Sequence, residues 1–222
     1  MPDPERFKRE AARRALDLVA PGMVLGVGTG TTARYFIEGL AGLRVAAVAT
    51  SRASAGLALA AGVELLDDPG RPLDLAVDGA DEIDPELWLV KGHGGALFRE
   101  KLVALAARRF VVIADESKLV DRLGRTLVPV EVAPFMWHRT AERLSGVGAA
   151  WTLRAAGEGP YRTDGGNLIL DLTFPDGLAD PERTAAELKA TTGVIEHGLF
   201  LGMAEAAIVA GPSGIQVLGT LP

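Results

Sequence analysis

The sequence of 222 residues contains no cysteine. Disulfide bonds, thiolate metal sites and a cysteine nucleophile are therefore excluded. Side-chain amides are almost absent as well, since Asn167 and Gln216 are the only two. Low contents of Asn, Gln and Cys indicate a thermophile protein, and codon bias in a GC-rich genome is the alternative explanation.

Long apolar segments and excess positive charge are also missing. No uncharged apolar run reaches the ~18 residues of a membrane span, and the charged segment 1–14 has no apolar signal-peptide core. The net charge of -6 disfavours nucleic-acid binding, so that a local site must hold any anionic ligand. With 48% apolar and 23% charged residues, we expect a cytoplasmic globular protein.

Apolar segments alternate with helical segments through the first half of the chain. Helices are predicted at 4–19, 33–40, 53–61 and 97–107, and strands at 23–27, 44–50, 63–66, 73–77 and 110–114, with another strand from Leu87. Strands of near-continuous apolar character between helices indicate a parallel sheet covered on both faces. We therefore predict an α/β fold with a Rossmann-like, mostly parallel sheet, which binds ligands at the carboxyl ends of its strands.

The pattern changes after about Thr126. Strands at 128–132, 150–154, 168–172 and 194–200 and helices at 135–144 and 181–190 follow in the order βαββαβ. This order is typical of the split, ferredoxin-like α+β unit. The segments 204–210 and 215–218 return to buried-strand character and are predicted to rejoin the first sheet. The predicted domains are an α/β catalytic core, 1–127 with 203–222, and an inserted lid-like domain, 128–202.

A glycine and threonine turn, Gly28-Thr29-Gly30-Thr31-Thr32, lies between the first predicted strand and the following helix. Glycine lets the backbone approach an anion, and threonine hydroxyls add hydrogen-bond donors at a helix N-terminus. The spacing matches neither the G-x-G-x-x-G pattern nor the P-loop. We favour phosphate or sugar binding here, and the alternative is a tight turn with a threonine N-cap.

An acidic segment, Asp78-Gly79-Ala80-Asp81-Glu82-Ile83-Asp84, follows a predicted strand. Carboxylates at a strand end can bind sugar hydroxyls, or a magnesium or calcium ion. The alternative is a solvated turn in which Asp84 caps a helix. Asp78 and Asp81 are nearest the strand end, and we favour them as ligands over Glu82 and Asp84.

The strongest signal is the segment 87–101. Lys91 ends a strand, Gly92-His93-Gly94-Gly95 forms a loop, and Glu100 lies in the first turns of a helix. A strand, a glycine loop and a helix in this order direct backbone N–H groups towards one spot. A cation and a carboxylate on either side of such a loop suit proton transfer on a charged small molecule. His93 is either an acid or a hydrogen-bonding residue of the loop, although a lone loop histidine is more often incidental.

Two further features carry weaker signals. Asp115-Glu116-Ser117-Lys118 follows the predicted strand 110–114, where Lys118 is either a phosphate ligand or a surface lysine on a capped helix. His138 and His197 lack metal-ligand spacing, and we expect both to be structural. No serine-based triad is indicated.

Four of these motifs together resemble the ribose-5-phosphate isomerase family of type A. They are Gly-Val-Gly-Thr-Gly-Thr-Thr, Asp-Gly-Ala-Asp-Glu-Ile-Asp, Lys-Gly-His-Gly-Gly-Ala-Leu-Phe-Arg-Glu-Lys and Asp-Glu-Ser-Lys, in the order in which the family has them. The resemblance covers nearly the whole chain, including the inserted domain and the C-terminal return. One departure is His93, where family members usually carry another glycine.

The resemblance implies a role for each matching residue. The substrate, mainly its phosphate, contacts the turn at Thr29, Gly30, Thr31 and Thr32. The sugar is lined by Asp78, Gly79, Ala80 and Asp81, and the reacting carbons are surrounded by Lys91, Gly92, His93 and Gly94. Glu100 is then the general base, Asp81 assists ring opening, and Lys118 binds substrate. The family uses no cofactor and no metal, and works as a homodimer or homotetramer in the pentose phosphate pathway.

The reaction that the resemblance implies agrees with the chemical properties of these residues. Interconversion of ribose 5-phosphate and ribulose 5-phosphate moves a proton between C2 and C1 through an enediol, which one carboxylate can do. The cation at Lys91 would stabilise the enediolate oxygen. Two other classes remain open: a sugar-phosphate sensor domain, and a CoA-transferase-like enzyme with a glutamate nucleophile.

Overall fold

The structure is a computed structural model that describes residues 3–147 and 150–221. Its helices are α1 (Pro4–Leu16), α2 (Thr31–Gly39), α3 (Arg52–Ala60), α4 (Leu97–Ala106), α5 (Trp137–Leu144) and α6 (Pro181–Ala190). Short 3₁₀ helices cover Glu116–Lys118 and Ser145–Val147. None of the helices in the described residues has the length and apolar character that crossing a membrane requires.

The strands are short, and most of them are buried. In chain order they are β1 (Val24–Val27), β2 (Ala46–Ala49), β3 (Glu64–Leu65), β4 (Leu75–Asp78), β5 (Glu82–Ile83), β6 (Leu89–Val90), β7 (Phe110–Asp115), β8 (Val128–Val132), β9 (Ala150–Leu153), β10 (Ala155–Ala156), β11 (Gly159–Pro160), β12 (Leu168–Thr173), β13 (Val194–His197), β14 (Leu199–Phe200), β15 (Ala206–Gly211) and β16 (Gly214–Gly219).

The chain forms two compact units. The first contains the described residues of Met1–Ala80, Arg99–Leu119 and Gly202–Pro222, and the second contains Asp81–Phe98 and the described residues of Val120–Leu201. These boundaries differ from the predicted domains, because 81–98 and 120–127 belong to the second unit. The predicted division at 128–202, and the lid-like role of that segment, stay predictions.

The first unit is built on a seven-stranded sheet in the order β16-β15-β7-β4-β1-β2-β3. Neighbouring strands from β3 to β15 are parallel, and β16 pairs antiparallel at the edge. Leu25 and Val27 of β1 pack into one core with α1, α2 and α3. Gly26 faces α4 instead, where a Cβ would lie 2.4 Å from Val103 Cγ1. Helices therefore cover both faces of the sheet, as predicted.

The strand order places the ends of β1 and β4 side by side. From β1, the chain continues through α2 to β2, which lies next to β1 on one side of it in the sheet. On the other side of β1 lie β4 and then β7. In such sheets the ligand crevice lies at the carboxyl ends of the strands where the order reverses. Gly28, just after β1, donates its N–H to the Val77 carbonyl of β4 at 3.0 Å. The glycine and threonine turn and the acidic segment therefore start from adjacent strand ends.

The second unit contains an antiparallel sheet in the order β13-β8-β12-β9. With α5 after β8 and α6 after β12, this is the predicted βαββαβ arrangement. A separate three-stranded sheet, β14-β6-β5, carries Lys91 at the end of β6. Val90, Val130, Leu170 and Leu199 share the core of this unit. The predicted fold class, a mostly parallel α/β sheet with an additional α+β unit, is confirmed.

Some predicted elements differ from the structure. The strand predicted at 194–200 is two strands, since Gly198 interrupts it where a Cβ would lie 2.2 Å from the Lys91 carbonyl oxygen. The segment 215–218 is a strand of the first sheet, but it is an exposed edge and not buried. The strands β5, β10 and β11 have no predicted counterpart, because two residues carry no hydrophobic period.

Candidate active site

The glycine and threonine turn shapes the N-terminus of α2 in the first unit. Gly30 is the N-cap residue and has a φ of 122°, which favours glycine. The Arg34 N–H donates to the Gly30 carbonyl at 3.0 Å as the first helical hydrogen bond. The N–H groups of the first turn have no helical acceptors, and Thr31 is exposed beside them. This helix end is therefore suited to an anion.

Thr29 stabilises the turn instead of capping the helix. Its hydroxyl oxygen lies 2.7 Å from Thr50 Oγ1 and donates to Ser51 Oγ at 2.8 Å. The α2 helix has no side-chain cap, so the alternative of a threonine N-cap is wrong. Sequence reasoning missed this hydroxyl cluster, in which Ser51 is also the N-cap of α3.

Asp78, at the end of β4, connects the two neighbouring loops. It is 4% exposed, and its Oδ1 accepts the N–H of Thr29 at 3.1 Å and that of Gly79 at 2.7 Å. Gly28 permits this approach, because a Cβ there would lie 1.9 Å from Asp78 Oδ1. The carboxylate therefore fixes the local backbone, in addition to its predicted role as a ligand.

Glu100 lies on α4 and is 3% exposed. It lines a narrow gap together with Gly28, Thr50 and Asp78. A buried carboxylate thus lies close to the adjacent ends of β1 and β4. The first unit brings Glu100 together with two motifs that are far from it in sequence.

Lys118 follows β7 in the first unit. Asp115 caps the 3₁₀ helix Glu116–Lys118 by accepting the Ser117 N–H at 3.1 Å. The capped helix of the alternative interpretation therefore exists, although it is a single turn. The lysine itself is half-buried and not fully exposed.

Lys91 is buried in the second unit. Only 2% of the residue is exposed, and its N–H donates to the Gly198 carbonyl at 2.8 Å. Its Nζ lies 5.5 Å from the centre of the Phe200 ring, within cation–π range. A lysine buried this deeply is not a solvated surface residue.

His93 has specific partners and is not incidental. Its backbone N–H donates to Asp81 Oδ2 at 3.0 Å, and its Nδ1 lies 3.4 Å from Asp81 Oδ1. On the other side of the ring, Nε2 lies 2.8 Å from the Leu127 carbonyl oxygen. The histidine therefore links the acidic segment to the loop that precedes β8.

Glu82 and Asp84 accept hydrogen bonds from backbone N–H groups of the second unit. Glu82 is buried and accepts the N–H groups of Gly124, at 2.7 Å, and of Thr126. Asp84 accepts the N–H groups of Glu86 at 3.1 Å and Trp88 at 2.8 Å, and burial raises the pKa of its carboxyl group. Asp84 therefore organises a turn and caps no helix. Asp78 and Asp81 accept backbone N–H groups as well, so the choice of these two as the ligands of the segment stays a prediction.

The predicted site residues are divided between the two units. The first unit contains Thr29, Gly30, Thr31, Thr32, Asp78, Gly79, Ala80, Glu100 and Lys118, and the second contains Asp81, Lys91, Gly92, His93 and Gly94. Within residues 3–147 and 150–221, no group of three or more His, Asp or Glu side chains is arranged to hold a metal ion.

Comparison with known proteins identifies the class to which this fold and site belong. The model of the family described as ribose 5-phosphate isomerase A (phosphoriboisomerase A) matches residues 46–214. The ribose-5-phosphate isomerase A of Roseiflexus castenholzii is 50% identical over 97% of this chain and 96% of its own length.

Comparison with solved structures indicates the same class of protein. A D-ribose-5-phosphate isomerase in complex with phospho-erythronic acid superimposes with a TM-score of 0.94 at 38% identity, over 98% of this chain and 100% of its own. The ribose 5-phosphate isomerase of Plasmodium falciparum gives 0.93 at 33% identity, again over 98% and 100%. The chain belongs to the ribose 5-phosphate isomerase A family, which confirms the resemblance seen in the sequence.

Proposed function

We propose that this chain interconverts D-ribose 5-phosphate and D-ribulose 5-phosphate. Family membership over nearly its whole length is the observation that carries the proposal. The local geometry supports it, since Glu100 is a buried carboxylate beside the strand ends where ligands of such sheets bind.

The substrate phosphate binds, in this proposal, at the N-terminus of α2. Gly30, Thr31 and Thr32 supply backbone N–H groups and hydroxyls there, and the helix dipole adds a favourable field. The Thr29 hydroxyl is already occupied by Thr50 and Ser51, so Thr29 contributes by holding the turn in shape. Lys118 supplies a further cation for the phosphate.

The reaction requires one base and one stabilising cation. Glu100 removes the proton from C2 of the open-chain aldose, and the electron pair moves towards the carbonyl oxygen to give an enediolate. The ammonium group of Lys91 stabilises this charge, since a fixed cation in a buried site acts strongly. A proton passes from the C2 hydroxyl to the oxygen on C1, and Glu100 returns the carbon-bound proton to C1, which completes the ketose. Asp81 assists ring opening by moving the proton of the anomeric hydroxyl.

The ligand of the solved relative fits this chemistry. Phospho-erythronic acid carries a carboxylate at the end of a phosphorylated polyol chain, and a carboxylate is planar with negative charge on two oxygens, as an enediolate is. A site complementary to the transition state binds such a molecule well. We therefore expect phospho-erythronic acid to inhibit this chain competitively.

The isomerase assay tests the proposal directly. The purified chain is mixed with ribose 5-phosphate in excess chelator, and ribulose 5-phosphate is measured. We expect turnover without added metal. Binding without turnover would instead indicate a sensor domain, and trapping of an acyl-enzyme would indicate a CoA-transferase-like reaction.

Lys118→Ala should raise KM by about 10-fold or more while kcat stays within about threefold. The reason is that a hydrogen bond to a charged group contributes roughly 1.5–3 kcal/mol, and a phosphate contact distant from the reacting carbons acts equally on substrate and transition state. Steady-state kinetics on ribose 5-phosphate check this. Arg183→Ala, which removes a surface cation paired with Glu187, is the control. An unchanged KM would remove Lys118 from phosphate binding.

The remaining expectations from the resemblance are part of the same proposal. We propose a homodimer or homotetramer that acts without a cofactor in the cytoplasm, in the non-oxidative branch of the pentose phosphate pathway. Light scattering in solution measures the assembly, and the chelator arm of the isomerase assay tests the metal.

A further inference from the structure

Arg154 makes a forked contact with the glycine loop of the second unit. Its Nη1 donates to the carbonyl oxygens of Gly92 and His93, both at 3.0 Å. On the other side, its Nε donates to Asp171 Oδ2 at 2.8 Å and its Nη2 donates to Asp171 Oδ1. The two side chains are 15% and 10% exposed. One guanidinium group therefore joins a strand carboxylate to two consecutive peptide carbonyls.

These contacts determine which way the loop N–H groups point. In a trans peptide unit the N–H points away from the preceding carbonyl. Because the carbonyls of Gly92 and His93 are directed at Arg154, the N–H groups of His93 and Gly94 are directed away from it. The His93 N–H donates to Asp81 Oδ2 at 3.0 Å, and within the described residues the Gly94 N–H has no acceptor. Gly94 is an exposed residue, and its N–H, like that of His93, is directed away from Arg154.

The strand segment that carries Arg154 also contacts the rest of the loop. The Tyr161 N–H donates to the Arg154 carbonyl at 2.8 Å. The Tyr161 ring packs so closely on Gly95 that a Cβ there would lie 2.2 Å from its hydroxyl oxygen. Gly95, with a φ of 81°, closes the loop by donating its N–H to the Gly92 carbonyl at 2.9 Å. The loop conformation is thus fixed from outside by one neighbouring segment.

We infer that Arg154 is a positioning residue for the isomerase reaction, held in place by Asp171. It sets the direction of the Gly94 N–H and of the Asp81 carboxylate, so that the N–H donates to a substrate oxygen that gains negative charge. This inference rests on the proposed function.

The charge of Arg154 contributes as well as its shape. A peptide carbonyl that accepts a hydrogen bond from a cation is polarised. The N–H of the same peptide unit, which belongs to the next residue, then becomes a stronger donor. The planar guanidinium can satisfy a carboxylate and two carbonyls at once, whereas a lysine ammonium is a single point charge. The bidentate pair with Asp171 limits the motion of the guanidinium.

The test uses two variants of the whole chain. The double variant Arg154→Met/Asp171→Leu removes both charges, so that no buried carboxylate is left without its partner. Arg154→Lys keeps the positive charge but loses the fork. The control is Arg183→Met/Glu187→Leu, which removes an ion pair with 75% and 42% exposed side chains from the same unit. The measurements are kcat per folded molecule, with the folded fraction taken from circular dichroism, KM, and inhibition by phospho-erythronic acid.

We expect kcat to fall about 100-fold in the double variant, which is roughly the cost of a 1 Å displacement of a catalytic group. KM should stay within about threefold, and inhibition by phospho-erythronic acid should weaken in parallel with kcat. Arg154→Lys should also lose most of its kcat, and the surface control should keep it.

If the double variant has the same kcat per folded molecule as the parent chain, the inference is overturned, even if its melting temperature falls. Arg154 and Asp171 would then form an ion pair that only stabilises the fold. If the double variant does not fold, Arg154→Lys decides by the same criterion. A parent chain without isomerase activity would overturn the proposed function and this inference together. If the parent chain is active and the variant is fully active as well, the inference is overturned and the proposed function stands.

Discussion

Glu100→Gln is expected to lower kcat by about 10²–10⁴-fold, the range that a positioned general base contributes. Glutamine has nearly the same shape but cannot accept the C2 proton at neutral pH. KM should change little, because the carboxylate acts on the transition state and not on the bound phosphate. Steady-state kinetics with ribose 5-phosphate measure both parameters.

The burial of Glu100 requires a stability control for this prediction. With 3% of the residue exposed, an amide in its place could disturb the packing of α4. The melting temperature of the variant is therefore measured beside its kinetics, and Glu38→Gln, an exposed glutamate on α2, serves as the matched substitution. A folded Glu100→Gln protein with near-normal turnover would exclude Glu100 as the base.

Lys91→Met should lower kcat by about 10²–10³-fold, the loss seen when one stabilising group at a developing oxyanion is removed. Methionine preserves much of the side-chain volume beside Phe200 but carries no charge, so the enediolate would form without its cation. Competitive inhibition by phospho-erythronic acid should weaken as well, because its carboxylate needs the same ammonium group.

Lys189→Met is the control for this substitution. It removes a lysine of the second unit that pairs with Glu196 and is 52% exposed at its side chain. The control should keep its kcat. If Lys91→Met kept its kcat and lost only affinity for the substrate, Lys91 would bind the ground state and would not stabilise the enediolate.

Much of the fold could be predicted because its signals are local. Asp3 and Asp180, each followed by proline, cap α1 and α6, which begin where helices were predicted to begin, at 4 and 181. The alternation of apolar strands with helices predicted the parallel sheet. Strand boundaries were less accurate at Gly198, where the interruption arises from close contact with the Lys91 backbone. That contact lies outside any local window of sequence.

The candidate site was predictable as a set of motifs but not as a set of contacts. The rule that ligands bind at carboxyl strand ends pointed to the turn at Gly28 and to Asp78, and the glycine loop before α4 pointed to Glu100. It gave no sign that the Thr29 hydroxyl is occupied by Thr50 and Ser51. The resemblance marked His93 as a departure without indicating its contacts with Asp81 and Leu127.

The sequence by itself determined the fold class, the order of the motifs and the family, because periodicity, caps and glycine loops are properties of neighbouring residues. Only the tertiary structure decided which side chains hold those motifs in shape. Arg154 is 62 residues from Gly92, and Asp78 is 49 residues from Thr29. Contacts over such separations depend on how the strands are ordered and packed, and no short stretch of sequence specifies that order.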